Sequence, residues 1–500
     1  MEIGILEILG GLTVLLFTGY YYFTSTFNFW QIRGVIGPKP IPLYGNFKDI
    51  MFGKTSIPDF VKREYEKYSD EPMFGVFANR VPILIVNNAR LIEEVLIKHF
   101  SSFANRGIRI FENIEPLSAN LVNLEAARWR PLRAKQTTMF TTVKLREMFY
   151  LMRLCAEHLE NTLDVMVKND DIVECCELTS RFSTDVIGAC VFGIDMKALA
   201  NENSDFRKVG RKFIYADKWR TFKIRLKTIC PSLFTLLGYF MYDHEINDFF
   251  IKSMMETMEY REKNNMKRGD FVDLLIDLKN HRDKFNFELT DSLLTAQAFA
   301  FFFAGFETSS TTMSNALYEL ALNPEIQNKL REEINYEITK NNGVLEYSII
   351  ENMKYLQQVV SETLRKYPIV SVLVRQAMEN YTFTFHKLSI PKDTRVWIPV
   401  YGIHRNPKIY SNPDLFDPER FNENNTKARN PFYYLPFGAG PRNCIGARFG
   451  SMQTKTGLIT ILRSYKIEAS AKTEIPYITH RRRFLLGPAD GIYLKFTKLQ

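Results

Sequence analysis

Hydrophobic positions in this chain change texture along its length. From Ile3 to Thr24 the run is almost wholly apolar, and Glu7 is its only charge. Some twenty residues at ~1.5 Å each match a hydrocarbon core of ~30 Å, so the run predicts one transmembrane helix. Tyr20, Tyr21, Tyr22, Phe23 and Trp30 crowd its far end like an interfacial aromatic belt. Gly37-Pro38-Lys39-Pro40-Ile41-Pro42 then predicts a stiff, extended segment, because proline fixes φ. Val81 to Val86 reads as a strand, with a helix near Ala89 to Lys98. Helical periodicity dominates from there to about residue 370. The longest helix is predicted over Leu289–Asn323, capped by Thr290. Its stretch Leu293–Phe306 is apolar on every face and should cross the core. Asn323-Pro324 restarts a helix over Glu325–Ile338, and another covers Tyr355–Tyr367. Beyond Pro368, short β-like pieces (Tyr381–Phe385, Val396–Val400) mix with turns. A last long helix follows Gly446, and Gly487–Lys495 looks like a hairpin.

Composition narrows the picture. With 500 residues, 46% of them hydrophobic, the chain can bury a large core. No linker interrupts residues 47–500, which predicts one catalytic domain behind an anchor (1–25) and a proline-rich hinge (26–46). The net charge of +9 is spread out. It suits an acidic partner protein or an anionic membrane better than nucleic acid. Arg33, Lys39, Lys48 and Lys54 follow the apolar run, while its N-terminal side has no Lys or Arg. The positive-inside rule then leaves the body cytoplasmic. A cleaved signal peptide fits less well, because a basic n-region and a small-residue cleavage site are missing. The six cysteines form no CxxC pair and are too few for a disulfide scaffold, which argues against zinc and for a reducing compartment.

The residues that carry chemistry centre on Pro436-Phe437-Gly438-Ala439-Gly440-Pro441-Arg442-Asn443-Cys444-Ile445-Gly446. A cysteine becomes a metal ligand when its thiolate is stabilised. The helix starting near Gly446 would aim its positive end at the sulfur. Gly440 permits a tight turn, and Gly446 lets a flat ligand approach the backbone. Phe437 can shield one side. Arg442 puts a cation near the sulfur or near a carboxylate of the ligand. The plainer reading is a buried cysteine near a loop. Against it, Phe-x-x-Gly-x-Arg-x-Cys-x-Gly fixes five positions, a chance match on the order of one in ten thousand.

In this motif, and in order along nearly its whole length, the chain resembles the cytochrome P450 haem-thiolate monooxygenases. The resemblance implies a mainly α fold with small β sheets and haem b (iron protoporphyrin IX), with Cys444 as axial iron ligand. It places the haem between the Thr308 helix and the Cys444 loop. It reads Ala304-Gly305-Phe306-Glu307-Thr308 as the oxygen groove. There Thr308 would hold oxygen and its water, Glu307 would help deliver protons, Gly305 would leave room beside the haem, and Ala304 would be one of the residues that bind it. Without the cysteine motif, Glu307 and Thr308 would read as a helix kink with satisfied polar groups. Trp129, Arg133 and Arg375 would bind haem propionates, where residues alone show a basic surface helix. Glu362 and Arg365, at i,i+3 spacing, would join Arg420 in a buried structural network rather than a solvated salt bridge. By family position, Phe103–Val122, Phe213–Trp219, Phe234–Phe240, Leu293–Phe301, Ile369–Val374 and Phe484–Leu486 line the substrate cavity.

Asp185-Val186-Ile187-Gly188 and Phe302–Ser310 look most like insect microsomal members, whose branch mostly oxidises plant toxins, insecticides and other foreign lipophiles. A biosynthetic hydroxylase of a hormone, pheromone or fatty acid is the second expectation. A haem-thiolate isomerase or dehydratase, or a haem sensor, would not need the Glu307–Thr308 pair. Gly438-Ala439-Gly440 lacks the third glycine of a dinucleotide fingerprint. Electrons therefore have to come from another protein, and the resemblance implies NADPH–cytochrome P450 reductase, with cytochrome b5 as a further partner. Arg128, Arg130 and Lys135 are candidates for the receiving face. The expected location is the endoplasmic reticulum membrane.

Overall fold

The computed structural model describes residues 4–214, 218–483 and 485–499, except the side chains of Ile5, Leu6, Ile8 and Lys218. Expectations that fall on Met1–Ile3, on residues 215–217 of the Phe213–Trp219 stretch, on Phe484 and on Gln500 lie outside the described residues. The chain is mainly helical with small sheets. It divides into two compact units. The first gathers residues through Gly107 with Val370–Ser411 and Asn430–Arg442. The second holds Ile108–Ile369, Asn412–Arg429 and the residues from Asn443 on. Each unit is assembled from separate chain segments, so no linker composition marks the division.

The first unit is built on a four-stranded sheet in the order Met73–Ala78, Val81–Val86, Arg395–Ile398, Leu373–Gln376. The predicted strand Val81–Val86 forms with those bounds. Ile83, Leu84, Ile85 and Val86 are fully buried, which is why the run reads as continuously apolar. The predicted 89–98 helix is α-helical only over Ala89–Glu93 and continues as a π turn over Glu94–Lys98. There the buried Glu94 carboxylate accepts from the Tyr381 hydroxyl (2.5 Å) and the Thr384 amide (2.9 Å). The proline-rich segment runs along the sheet edge. Gly75 N donates to Ile36 O at 2.8 Å. A Cβ on Gly37 would lie 2.0 Å from Gly75 O.

The apolar N-terminal run forms a helix, α1 (Ile5–Thr24). Its foot is tied to the 73–86 hairpin: Arg80 stacks 3.8 Å from the Tyr22 ring and Thr26 Oγ1 donates to Arg80 O at 2.7 Å. Among the described residues no helix is long and apolar enough to cross a membrane. Glu7, three glycines and three tyrosines dilute the hydropathy of α1.

In the second unit, five helices position the chemistry: α2 (Ala126–Thr137), α3 (Cys175–Ile187), α4 (Asp291–Leu322), α5 (Lys354–Lys366) and α6 (Ala447–Ser464). The 32-residue α4 begins as predicted, with Thr290 Oγ1 accepting from Leu293 N at 3.1 Å. Almost all of it is buried. It is held to α3 by Thr179, whose hydroxyl lies 2.8 Å from Ser314 Oγ. Asn323 precedes the next helix, Pro324–Lys340, without capping it through its side chain: its amide donates back to Glu319 O at 2.8 Å. The expected C-terminal hairpin is not formed. Tyr493–Lys498 lies between Ile172–Glu174 and Tyr465–Ala469, in a three-stranded sheet that pairs distant segments.

Candidate active site

Cys444 sits two residues before the N-cap of α6, Gly446, and its side chain is exposed. None of the six cysteines forms a disulfide. The aligned peptide dipoles of α6 favour negative charge at this end, so the sulfur is placed to be a thiolate. Trp129 and Arg133 lie one turn apart on α2, and Trp129 is buried. Arg133 grips the residue beside the cysteine, donating to Asn443 O (3.0 Å) and Asn443 Oδ1 (2.9 Å). Burial pulls its guanidinium below the ordinary arginine range, while the Cys444 thiolate works the other way. Gly446 has an ordinary negative φ, and a Cβ there would only touch Phe140 at 3.9 Å. Neither backbone conformation nor neighbouring protein demands this glycine.

The α4 helix carries a second mark of a flat ligand. Between Leu293 and Ala321, every described residue is buried except Ala300, Phe303, Ala304, Gly305 and Thr308. Ala300, Ala304 and Thr308 follow i,i+4 spacing and share one face. A core helix that leaves such a strip uncovered has room beside it for something other than protein. Gly305 does not create that room. A Cβ there would lie 2.3 Å from Ile187 Cδ1, so this glycine lets α4 pack against α3, which corrects the expectation that it clears space beside a haem.

Thr308 Oγ1 donates to Ala304 O at 2.6 Å, the back-bonding expected of a mid-helix threonine. The Glu307 carboxylate is buried and ion-paired with Arg483. Burial raises its pKa, and Arg483 and then Arg207 oppose the rise. Neither arginine stood out in the sequence. Arg483 lies in the Arg481-Arg482-Arg483 run, which offers a weak signal. Arg207 lies on a separate helix, Asp205–Ile214, and offers none.

The first unit supplies a cationic cluster. Arg375 and Arg442 are almost fully buried, and Arg106 Nη2 donates to Arg442 O at 3.3 Å. Burial, and then Arg106 and Arg442, push the Arg375 pKa down to about 9. Its Nε has no acceptor among the described residues. Like charges gathered in a buried place call for an anion, and porphyrin carboxylates are of that kind. Arg106 was missed because the Asn105–Gln376 bridge that brings its segment to Arg375 joins residues far apart in the chain. Phe437 is half-buried in this unit. Gly440 has φ +72° and leaves no space for a Cβ, which would lie 1.9 Å from Leu96 O. The turn before the cysteine therefore depends on glycine twice over.

Glu362, Arg365 and Arg420 form the expected buried network. Arg365 clamps Glu362 through Nε–Oε2 (2.6 Å) and Nη2–Oε1 (2.8 Å), and Arg420 Nε stands 3.4 Å from Glu362 Oε1. Asp417 N and the Pro413 carbonyl complete the bonding. Of the basic candidates on α2, Arg128 is compensated by Glu112 (2.6 Å) and Glu125 (2.7 Å), while Arg130 and Lys135 are exposed. Among the expected cavity segments of the second unit, Phe213 packs edge-on against Phe299 (4.9 Å) and Phe303 (4.3 Å). Phe111 packs on the buried Phe234 (5.0 Å). Leu236, Tyr239 and Phe240 instead point to solvent.

Among the described residues, no three His, Cys, Asp or Glu side chains gather to hold a metal. Within the second unit, a single cysteine at a helix terminus and an uncovered helix face suit a metal that brings its own flat ligand. Comparison with known proteins agrees. The family model described as cytochrome P450 matches residues 36–496. The chain is 37% identical to cytochrome P450 6k1 of Blattella germanica, covering 97% of this chain and 96% of that protein. It is 38% identical to cytochrome P450 6A1 of Musca domestica, covering 97% of each. With probable cytochrome P450 6a13 of Drosophila melanogaster it shares 38% over 95% of each. The chain therefore belongs to the cytochrome P450 family of monooxygenases, whose cofactor is haem.

Proposed function

We propose that this monooxygenase inserts one oxygen atom from dioxygen into small lipophilic molecules, foreign ones such as plant toxins and insecticides foremost. The observation that carries the reading is the uncovered face of α4, which presents the methyl groups of Ala300 and Ala304, the Phe303 ring and a single hydroxyl, Thr308. Phe213 stands against Phe303, so the adjoining wall is aromatic. Such a surface suits apolar ligands and offers few polar groups for a single obligatory substrate. The similarity to insect proteins supports the same branch of the family.

Bound haem with a thiolate ligand supplies the oxidising power and favours O–O cleavage. The chain's residues do the rest. Cys444 gives the thiolate, kept anionic by the α6 terminus. Trp129 and Arg133, and separately Arg375 and Arg442, would hold the carboxylates of the haem. Thr308 donates to Ala304 O and keeps its lone pairs for a water on the uncovered face. Glu307 supplies protons from the buried side of the same turn. The balance is one dioxygen, two electrons, two protons and substrate, giving hydroxylated product and water. Electrons come from NADPH through NADPH–cytochrome P450 reductase, with cytochrome b5 as a second donor.

The apolar surface of α1 supports a membrane location. Leu12, Val14, Leu15, Leu16 and Phe17 point outward on every side of the helix, at 53–70% exposure. Water is a poor solvent for such a surface. We assign residues 1–25 as an anchor in the endoplasmic reticulum membrane, 26–46 as the hinge and 47–500 as the catalytic body on the cytoplasmic side. The test is turnover of a mixed compound library by purified protein with reductase and NADPH. Oxidation of several unrelated lipophiles is expected. Conversion of one hormone or fatty acid alone would favour a biosynthetic hydroxylase. Product formed without reductase or peroxide would overturn the monooxygenase chemistry.

A further inference from the structure

The helix Lys218–Ile229 of the second unit reverses the pattern of a surface helix in water. Trp219, Phe222, Ile224 and Ile229 point outward, at 46–50% exposure. Among its residues with described side chains, the one that is buried is a lysine: Lys223 is 8% exposed. A surface helix ordinarily covers its apolar positions and gives its lysines to solvent. Arg220, Lys223 and Leu226 follow i,i+3 spacing and share the covered side. Contacts place both ends of that side. At one end the Arg220 guanidinium lies 4.3 Å from the Phe213 ring centre, and Phe213 packs on Phe299 and Phe303 of α4. At the other, Leu226 packs against Ile114 and Phe234. Lys223 therefore stands between the aromatic wall beside the uncovered face of α4 and the 108–122 stretch.

A covered ammonium group calls for an anion. Among the described residues no carboxylate pairs with Lys223. The 108–122 stretch carries two, and both are committed: Glu115 to Lys227 at 2.7 Å and Glu112 to Arg128 at 2.6 Å. The Trp219 ring centre, 5.6 Å from Lys223 Nζ, supplies only a weak attraction. We propose that Lys223, with Arg220 one turn before it, binds the carboxylate of acidic lipophiles and makes them a favoured class among the substrates. The apolar part of such a ligand runs along Phe213 toward the uncovered face of α4. Its acid end is held on the far side of the Phe213 ring, so the carbons that reach α4 are remote from the carboxylate. The inference rests on the reading of that face as the place where lipophiles are oxidised. It adds a charge that the apolar wall does not supply, and with it a preference within the class.

The test uses haem-loaded wild type, Lys223→Gln, Lys223→Arg and Arg225→Gln, each first checked for the thiolate band of the reduced CO complex. Arg225, exposed on the same helix, controls for charge alone. Dodecanoate and its methyl ester are titrated against the haem spin-state spectrum and turned over with reductase and NADPH. Lys223→Gln should weaken dodecanoate binding roughly tenfold, the loss of a hydrogen bond between charged groups, and leave ester binding unchanged. In turnover its KM for dodecanoate should rise while kcat is kept. Lys223→Arg and Arg225→Gln should match wild type. Equal losses for acid and ester would mean that Lys223 only packs. No loss for either would mean that its head only meets water, and an equal loss in Arg225→Gln would mean a diffuse field. Each of these overturns the carboxylate site. So does a Lys223→Gln variant that binds dodecanoate normally but has lost association with phosphatidylserine vesicles, which would put a lipid headgroup there. If neither dodecanoate nor any neutral lipophile is oxidised, the lipophile reading itself fails. If neutral lipophiles are oxidised but Lys223→Gln keeps the wild-type preference between acid and ester, only the carboxylate site fails.

Discussion

Cys444 stands apart from the other cysteines by its surroundings. Cys155, Cys175 and Cys190 are buried, and burial pushes their thiols up, to about 12 at Cys155. Such thiols are inert packing groups. Cys444 is exposed at a helix terminus, where a thiolate is favoured. Replacing Cys444 by Ser should abolish the red-shifted Soret band of the reduced CO complex, and replacing Cys155, Cys175, Cys176, Cys190 or Cys230 should not. Arg375 makes a second residue-scale prediction. Its pKa of about 9 lies far below the usual arginine range because burial and then Arg106 and Arg442 push it down. A carboxylate partner raises that value again. Haem affinity of the apo-protein should then weaken as pH climbs past about 9, since Arg375 must take up a proton on binding. Arg375→Gln should bind haem more weakly and lose this part of the pH dependence. Haem titrations between about pH 7 and 10 measure both.

The elements carry the constraints that single residues cannot. The α4 helix is nearly all apolar or small, yet it keeps Glu307, Thr308 and one uncovered face. Gly305 allows this by letting Ile187 of α3 come close, so the cost of a mid-helix glycine is offset by packing. The α5 helix contributes the Glu362–Arg365 pair, fully buried and closed by Arg420 and backbone carbonyls. Removing one partner leaves an uncompensated buried charge, so Glu362→Ala should cost roughly 3–5 kcal/mol. The exposed Glu423–Lys427 pair offers the contrast. Glu423→Ala should stay within ~0.5 kcal/mol. Urea unfolding of both variants makes the comparison.

On the scale of the whole molecule, the predictions concern what the body attaches to. Deleting residues 2–24 should leave haem binding intact and lower membrane retention. Some retention should persist, because Leu236, Tyr239 and Phe240 remain an exposed apolar surface, each at least 67% accessible. Fractionation with the CO spectrum as the folding control reads this. Loss of haem from an otherwise folded truncation would mean that α1 is not separable. Docking of an acidic reductase should depend on Arg130, which is exposed on α2. Arg130→Glu should slow reductase-supported turnover most at low salt, since salt screens exposed charges over ~10 Å, and should spare peroxide-driven turnover.

Local patterns were enough for much of this protein. Val81–Val86, α4 and α6 could be read from the chain because burial, capping and helix period leave their marks on neighbouring residues. The cysteine motif was legible for the same reason: turn glycines, cation and thiol stand within ten positions. Other features depend on partners far away in sequence, and no local pattern encodes them. Tyr493–Lys498 pairs with Ile172–Glu174 instead of folding back as a hairpin. Arg106 reaches Arg375 through a bridge across some 270 positions (Asn105 to Gln376). Gly305 serves Ile187, and Arg483 takes hold of Glu307 from 176 residues away. The sequence by itself determined the family, the cysteine motif and the main helices, because these rest on short-range spacing. Only the tertiary structure decided which charges meet in the interior, because a buried ion pair is specified by long-range packing and each partner alone looks like an ordinary polar residue.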